Sequence, residues 1–180
     1  MPIRDEQTRK KKREQLRLLN ESSYDREVII ASERALLEIK TEGTVYIDIP
    51  FQFDFGTNLH FSGNFYANTD CLFLDTGDIN FGKNVKSGPR VQIYTVNHPV
   101  DPTERLEKRL AIASPVTIGD NVWIGMNVTI VGNIKIGNDV LIAPNTYLNC
   151  DVPSHSIVLG NPARIIVKDN ATSEYINNIV

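Results

Sequence analysis

Three histidines are the residues of this sequence best suited to acid–base or metal chemistry. His60, His98 and His155 lie too far apart in the chain to suggest the close ligand spacing of a zinc site. His98 stands between Asn97 and Pro99, and a residue before proline is held in extended backbone, which would set the angle of the imidazole. Because imidazole titrates near neutral pH, it can remove a proton from an attacking hydroxyl. Taken alone, however, a loop histidine is more often simply solvated.

A six-residue period indicates what would position His98. Every sixth residue from 118 to 148 is aliphatic, and a second, largely aliphatic series runs four residues behind it. The first series is Ile118, Ile124, Ile130, Ile136, Ile142, Leu148; the second is Val122, Val128, Ile134, Val140, Thr146. This period fits neither an α-helix nor a half-buried strand, but it fits short strands that form the three sides of a triangular coil. Gly119, Gly125 and Gly137 each follow a marked position, where a residue without Cβ can turn the chain tightly. The pattern predicts a parallel β-helix.

The same phase continues upstream with one slip and one interruption. Phe61, Ala67 and Phe73 fit the series, two extra residues fall in Asp75–Asp78, and the series then resumes at Phe81, Ser87, Ile93. The coil is therefore expected to begin near residue 55. Between Ile93 and Ile118 the period stops, which predicts a long protruding loop over 94–115 that contains His98 and the charged run Thr103–Arg109. Loops of this length inside a compact domain are usually functional.

Composition and helical spacing complete the predicted layout. The chain has 180 residues, 41% of them hydrophobic, and a net charge of −3, as in a single globular domain. Interrupted helical spacing predicts helices over 5–19 and 24–40, and the basic cluster Thr8–Arg13 would be a solvated face of the first helix. The predicted units are a helical segment over 1–44, a β-helix domain over 45–168 and a tail over 169–180.

Several classes of site and location are disfavoured. There is no apolar stretch of the roughly 20 residues that span a bilayer, and no signal-peptide core at the start, so a cytoplasmic protein without a membrane partner is expected. Cys71 and Cys150 form no CxxC pair, so neither a disulfide framework nor a thiolate zinc site is indicated. No bound metal is expected.

Four linked segments, in the same order and at nearly the same spacing, resemble the maltose, galactoside and nodulation-factor O-acetyltransferases. They are Asn64–Asn68, Val91–Val100, Pro115–Gly125 and Gly160–Arg164. The resemblance covers about residues 45–168. It implies an all-β fold, a left-handed parallel β-helix of hexapeptide repeats with N-terminal helices. It also implies a homotrimer with active sites between adjacent subunits, and acetyl-CoA as the co-substrate.

The resemblance also implies roles for individual residues. His98 would act as general base on an acceptor hydroxyl that attacks the thioester directly, with no acyl-enzyme. Asn68 would line the reacting centre and help to bind the acceptor, since its amide both donates and accepts. A backbone N–H near Gly125 and Met126 would stabilise the oxyanion. The remaining implied acceptor contacts are Asp54, Asp75, Thr76, and Trp123 as an apolar wall.

For coenzyme A the resemblance implies a groove between subunits. The implied contacts, beyond Gly125 and Met126, are Ala143, Pro144, Asn149, Cys150 and Arg164, with the Arg164 guanidinium against the nucleotide phosphates. The family commonly has small residues and then Thr-Lys at the positions of Pro144 and Asn149-Cys150. One basic contact is therefore missing, and weaker coenzyme A binding is expected.

The acceptor and the class of reaction stay open. Differences from the family at Asp54 and Thr76 alter the hydrogen-bonding groups, so a sugar or similar hydroxyl-bearing small molecule is expected rather than maltose in particular. Transfer to an amine, or from another acyl-CoA, is an alternative. A catalytically degenerate trimeric scaffold is favoured by Pro144 and Cys150, and disfavoured by Asn68, His98 and Trp123. Binding of nucleic acid through Arg9–Arg13 is disfavoured.

Overall fold

A computed structural model describes residues 6–22, 24–108 and 112–167. The predicted fold class is confirmed: the chain forms a left-handed parallel β-helix with N-terminal helices and a protruding loop. The helices are α1 (Glu6–Asn20), α2 (Arg26–Leu36) and α3 (Pro102–Lys108). The strands are β1 (Val45–Ile47), β2 (Gln52–Phe53), β3 (Leu59–Phe61), β4 (Phe65–Ala67), β5 (Leu72–Leu74), β6 (Ile79–Phe81), β7 (Val85–Ser87), β8 (Gln92–Tyr94), β9 (Val96–Asn97), β10 (Ile112–Ala113), β11 (Val116–Ile118), β12 (Trp123–Ile124), β13 (Thr129–Val131), β14 (Ile134–Ile136), β15 (Leu141–Ile142), β16 (Tyr147–Leu148), β17 (Ser156–Leu159) and β18 (Arg164–Val167).

Stacked coils form three sheets, named here A, B and C in the order in which the chain first enters them. Sheet A has the order β1-β4-β7-β12-β15-β17-β18, sheet B the order β2-β5-β8-β13-β16, and sheet C the order β3-β6-β11-β14. Ile118 lies beside Ile136, eighteen residues further on, and Ile124 lies beside Ile142 at the same interval. Three six-residue units therefore make one turn, as the period predicts.

The interior is filled by the residues of the two aliphatic series. Each residue of the first series is at most 2% exposed, and the second series is equally inaccessible, with Ile134 the most exposed at 5%. In the first coils the same columns hold aromatic rings, and the Phe65 and Phe81 centroids are 4.4 Å apart. This continuous apolar column fixes the register of every strand.

The turns are built differently from the prediction. Gly119, Gly125 and Gly137 do not have positive φ. Glycine is needed at Gly119 for another reason, because a Cβ there would lie 2.7 Å from the Gly137 backbone on the next coil. The left-handed conformation occurs two residues later, at every sixth position, in Asn121, Asn127, Asn133, Asp139 and Asn145, with φ between 55° and 66°. Short polar side chains tolerate this conformation best after glycine.

The loop over 94–115 is more regular than predicted. β9 pairs with β10 in an antiparallel ribbon at its base, and α3 occupies the charged run. Asp101 begins this helix, since its carboxylate accepts the Glu104 N–H at 2.8 Å, and Pro102 takes the first helical position. The coil also begins earlier than residue 55, since β1 and β2 already pair with the coil that follows.

The two N-terminal helices cover the open end of the coil. Helices were predicted in both segments, and their inward faces are buried at Leu16, Leu19, Ile29 and Leu36. Asn20 of α1 donates to the Phe51 carbonyl at 2.8 Å and accepts the Phe51 N–H at 3.2 Å. The segment 169–180 lies outside the described residues. Within those described, no helix has the length and apolar character needed to cross a membrane.

Glu33 joins α2 to the first strand. Its side chain is completely buried, and both carboxylate oxygens accept the Ile47 N–H at 3.2 Å. Burial raises the pKa of Glu33 to about 8, although the Ile47 hydrogen bond acts in the opposite direction. Folding therefore takes up a proton at neutral pH, because an unfolded glutamate is ionised there.

This coupling predicts a pH-dependent stability. The contribution of Glu33 is fully present below its unfolded pKa of 4.5 and is lost as pH rises through about 8. At about 1.4 kcal/mol per pKa unit, the loss is on the order of a few kcal/mol. Urea unfolding at pH 5, 6, 7 and 8, at one protein concentration, should show a smaller loss for Glu33→Gln than for the wild type. Glu27→Gln, an exposed change on the same helix, should keep the wild-type slope. Parallel curves for Glu33→Gln and the wild type would contradict the prediction.

Candidate active site

The predicted site residues fall on two different corners of the coil. Corner AB comprises the connections from sheet A to sheet B, namely 48–51, 68–71, 88–91, 125–128 and 143–146. Corner BC comprises 54–58, 75–78, 95–115, 132–133 and 149–151. Asn68, Gly125, Met126, Ala143 and Pro144 lie on corner AB, with Trp123 beside it on β12. Asp54, Asp75, Thr76, His98, Asn149 and Cys150 lie on corner BC. Within one chain, sheet B separates His98 from Asn68.

The side-chain oxygen of Asn68 is bonded within the chain, whereas its side-chain nitrogen is left to donate. Its backbone N–H donates to the Ser87 carbonyl at 2.9 Å, and its side-chain oxygen accepts the Thr69 N–H at 2.8 Å. Its Nδ2 has no hydrogen-bond partner among the residues that the structure describes. Because the oxygen is engaged, the amide nitrogen is the group that remains for a ligand.

Two coils further on, the same corner carries a second donor. The Gly125 N–H is taken by the Ile142 carbonyl at 2.7 Å, whereas within the described ranges the Met126 N–H enters no backbone hydrogen bond. Gly88 keeps this N–H uncovered, because a Cβ at Gly88 would lie 2.8 Å from the Met126 nitrogen. Sequence reasoning missed Gly88, although it follows Ser87 as Gly125 follows Ile124. Of the two N–H groups at the predicted oxyanion position, Gly125 and Met126, that of Met126 is therefore the one left to donate to a ligand.

His98 is exposed, and the backbone of its loop is fixed by hydrogen bonds on both sides of it. The Arg105 guanidinium of α3 donates to the carbonyls of Pro99 at 3.0 Å and Val100 at 3.2 Å. The backbone N–H of His98 donates to the side-chain oxygen of Asn97 at 2.9 Å. At the base, the buried Thr95 hydroxyl bonds to the coil below, and Asn97 pairs with Ile112. The sequence does not reveal this support, because Arg105 stands within a run of charged residues.

Asp75, a predicted acceptor contact, lies below the surface of the coil. It is fully buried, and its carboxylate accepts the N–H groups of Asp54 at 3.0 Å, Phe55 at 2.7 Å and Asn58 at 3.1 Å. Burial raises the pKa of this carboxyl, while the backbone N–H groups oppose the rise. A direct contact between Asp75 and an acceptor does not fit this burial. Instead, Asp75 shapes the segment that carries Asp54.

Both carboxylate oxygens of Asp54 accept hydrogen bonds from other side chains. The Thr76 hydroxyl donates to its Oδ2 at 3.0 Å, and Arg13 donates to its Oδ1 at 2.6 Å. Arg9 pairs with the same Oδ1. These two arginines, one helical turn apart on α1, were predicted to be solvated. No signal in the sequence linked them to Asp54, because the contact joins positions more than forty residues apart.

The residues predicted to bind the cofactor run along the C-terminal coils. Ala143 is buried, and its N–H donates to the Val158 carbonyl at 2.7 Å, so it offers a close backbone surface rather than a donor. Pro144 packs against Gly125 from the next coil. Asn149, Cys150 and Arg164 are exposed. Arg164 begins β18, which folds back antiparallel on β17.

Comparison with known proteins places this architecture in a family. The family described as bacterial transferase hexapeptide (six repeats) matches residues 115–150. A Saccharomyces cerevisiae protein named as an acetyltransferase is 40% identical over 146 residues, covering 79% of this chain and 74% of the relative.

Two solved structures are also similar. A maltose O-acetyltransferase from Clostridium difficile is 36% identical, with a TM-score of 0.82 over 90% of this chain and 86% of the other. A hexapeptide-repeat acetyltransferase from Vibrio cholerae, complexed with acetyl coenzyme A, is 31% identical, with a TM-score of 0.85 over 93% and 91%. The chain therefore belongs to the hexapeptide-repeat acetyltransferase family.

Proposed function

We propose that the protein is an acetyl-CoA-dependent O-acetyltransferase in which His98 is the general base. The observation that carries this proposal is the pairing of two complementary half-sites. Corner BC presents an exposed imidazole on a braced loop, and corner AB presents the uncommitted amide nitrogen of Asn68 and the Met126 N–H. A base and a pair of neutral donors are the parts that acyl transfer to a hydroxyl requires.

The two half-sites would meet between subunits. In a closed ring of three, corner BC of one chain faces corner AB of the next, and sheet B faces the threefold axis. Exposed apolar side chains lie on both surfaces. The loop carries Val100, Leu106 and Ile112, which are 94%, 74% and 46% exposed. Met126 on corner AB and Trp123 beside it are each 46% exposed. Docking of the loop on the neighbour would remove both sets from water.

In the proposed reaction the acceptor hydroxyl attacks the thioester carbonyl while its proton passes to the His98 imidazole. The new C–O bond produces a tetrahedral oxyanion, which the Met126 N–H and the Asn68 amide stabilise by hydrogen bonding. Collapse of this intermediate breaks the C–S bond, and the departing thiolate takes the proton back from the imidazolium. The products are an acetyl ester and coenzyme A, and His98 is regenerated.

The donor would bind along the C-terminal coils. The Vibrio cholerae relative, which is complexed with acetyl coenzyme A, supports this donor. The exposed Arg164 guanidinium suits the nucleotide phosphates, whereas Cys150 supplies no cation where the family commonly has lysine. Coenzyme A would therefore bind this protein more weakly than it binds family members that have the lysine.

Substitution of His98 tests the proposed chemistry. Thiol release from acetyl-CoA is measured across sugars, nucleosides, amino sugars and hydroxylated metabolites. His98→Ala should lower kcat by about 10²–10⁴, the usual contribution of a positioned general base. The melting temperature and oligomer mass should not change, because the side chain is exposed. His60→Ala, which removes an exposed imidazole on sheet C, should keep full activity. Equal activity of His98→Ala and the wild type would refute the base assignment.

Mixed oligomers test whether each site is shared between subunits. His98→Ala and Asn68→Ala are each expected to be poorly active. After unfolding and refolding together at equal amounts, an intact site forms wherever a wild-type His98 meets a wild-type Asn68 of the neighbour. Random assembly of a cyclic trimer makes about a quarter of the sites intact. Recovery of that fraction of wild-type activity supports the shared site, and activity that stays at the level of the separate variants contradicts it.

A further inference from the structure

Arg9 and Arg13 have no role in the chemistry proposed above, yet they lie beside the predicted acceptor residues. Both guanidinium groups contact the same oxygen of Asp54, so two cations share one carboxylate. The Asp54 side chain is only 11% exposed, whereas Arg9 is 36% and Arg13 49% exposed. A ligand that approaches this point therefore meets the guanidinium groups before it meets the carboxylate.

The two arginines retain unused hydrogen-bond donors. A guanidinium carries five N–H groups, and Asp54 takes few of them. The Arg9 Nε is shielded from solvent and has no hydrogen-bond partner among the residues that the structure describes. The Arg9 guanidinium also lies over the Phe55 ring, 5.0 Å from its centroid, which fixes its plane. Because the Arg9 Nε is shielded, the donors that could reach an oxyanion are the Nη1 groups of Arg9 and Arg13, which make no hydrogen bond to Asp54.

The charges directly beside Asp54 are unbalanced, because two guanidinium groups share one carboxylate. Both lie on one open face of α1, together with Glu6, Lys10, Glu14 and Arg17. Four of these six side chains are cationic. Arg17 is already paired with Glu14 at 2.8 Å and with Glu21 at 2.7 Å. Beside Asp54, by contrast, Arg9 and Arg13 together leave one positive charge uncompensated by that carboxylate.

This cationic surface is joined to the proposed catalytic corner. Asp54 lies on corner BC in the first coil, and Thr76, which donates to it at 3.0 Å, lies on the same corner one coil further on. The loop that carries His98 leaves the next coil at this corner. Since neighbouring strands are about 4.8 Å apart, two coils span about 10 Å, comparable to a hexose with one substituent.

We propose that the acceptor carries an anionic oxygen group, a carboxylate or a phosphate, which Arg9 and Arg13 bind while an acceptor hydroxyl faces His98. This inference rests on the proposed acetyltransferase function and names the chemical class of its acceptor. The guanidinium fork matches the paired oxygens of either group. Asp54 holds the two arginines side by side, and Thr76 holds Asp54.

Matched acceptors test the inference. Acetyl transfer is measured with glucose, glucuronate and glucose 6-phosphate, and with the corresponding galactose compounds. In each set that reacts, kcat/KM should be at least about tenfold higher for an anionic member than for the neutral sugar, the contribution expected of one charge-assisted hydrogen bond. Comparison of the carboxylate and phosphate members shows which of the two is preferred. The preference should weaken as salt is raised from 50 to 500 mM, because both arginines are partly exposed.

Variants of α1 locate the effect. Arg13→Gln should bring the ratio of anionic to neutral kcat/KM close to one, and Arg13→Lys should restore part of it by returning the charge. Lys11→Gln removes the same charge from an exposed position on the same helix and should leave the ratio unchanged. Melting temperatures show whether each variant is folded. If Arg13→Gln does not fold, the ratio of anionic to neutral kcat/KM in Arg13→Lys is used instead. A ratio in Arg13→Lys equal to that of the wild type would contradict the proposed contact with the guanidinium.

The outcomes separate this inference from the proposed function. Turnover of neutral sugars as efficient as that of their anionic partners, or equal loss of preference in Lys11→Gln, overturns the inference and leaves the acetyltransferase standing. If no acceptor reacts, the proposed function fails, and binding decides the inference: glucose 6-phosphate should raise the melting temperature of the wild type but not of Arg13→Gln. Absence of that difference overturns it.

Discussion

The whole molecule depends on one constraint, the direct stacking of each coil on the one before. Where the repeat is regular, Trp123 donates to the Val140 carbonyl at 2.9 Å and Gly125 to Ile142 at 2.7 Å, so every coil is bonded to the next at fixed intervals. The aliphatic columns inside allow only this register, since a slip of one residue would turn each column outward. Corners therefore form straight ridges, and a residue on a ridge has a position defined by the entire coil.

Departures from the regular interval are concentrated on corner BC. Phe65 lies beside Val85, twenty residues on, and Phe73 lies beside Ile93 at the same interval, whereas Ile118 and Ile136 are eighteen residues apart. The extra residues fall in 54–58 and 75–78, and the largest insertion is the loop that carries His98. A repeat can be interrupted where the chain already turns without loss of the stacked core. Regular strands thus give rigidity, and the irregular corner carries the insertions.

The sequence predicted the regular part of the fold well and the contacts between its parts poorly. The series from Ile118 to Leu148 was sufficient for the coil, because one physical requirement repeats at every sixth residue. It did not reveal that the tight turns depend on asparagine, as at Asn121, while Gly119 is needed for close stacking. Periodicity does not reveal the helix over Pro102–Lys108, although Asp101 and Pro102 carry a recognisable start signal. The pairing of Arg9 and Arg13 with Asp54, and the distribution of the proposed site over two corners, depend on contacts that no local pattern encodes.

The side chains at the N-terminal end of the coil have a consequence for self-association. A stack of parallel strands has two open ends, and each would accept another stack, as in the growth of a fibril. Here Glu33 takes the Ile47 N–H, and Asn20 exchanges two hydrogen bonds with Phe51, in place of the strand that a further coil would supply. At the other end β18 turns back antiparallel on β17. Among the residues that the structure describes, sheet A is thus covered by side chains at its first strand and by an antiparallel strand at its last, which hinders the addition of a further parallel strand there.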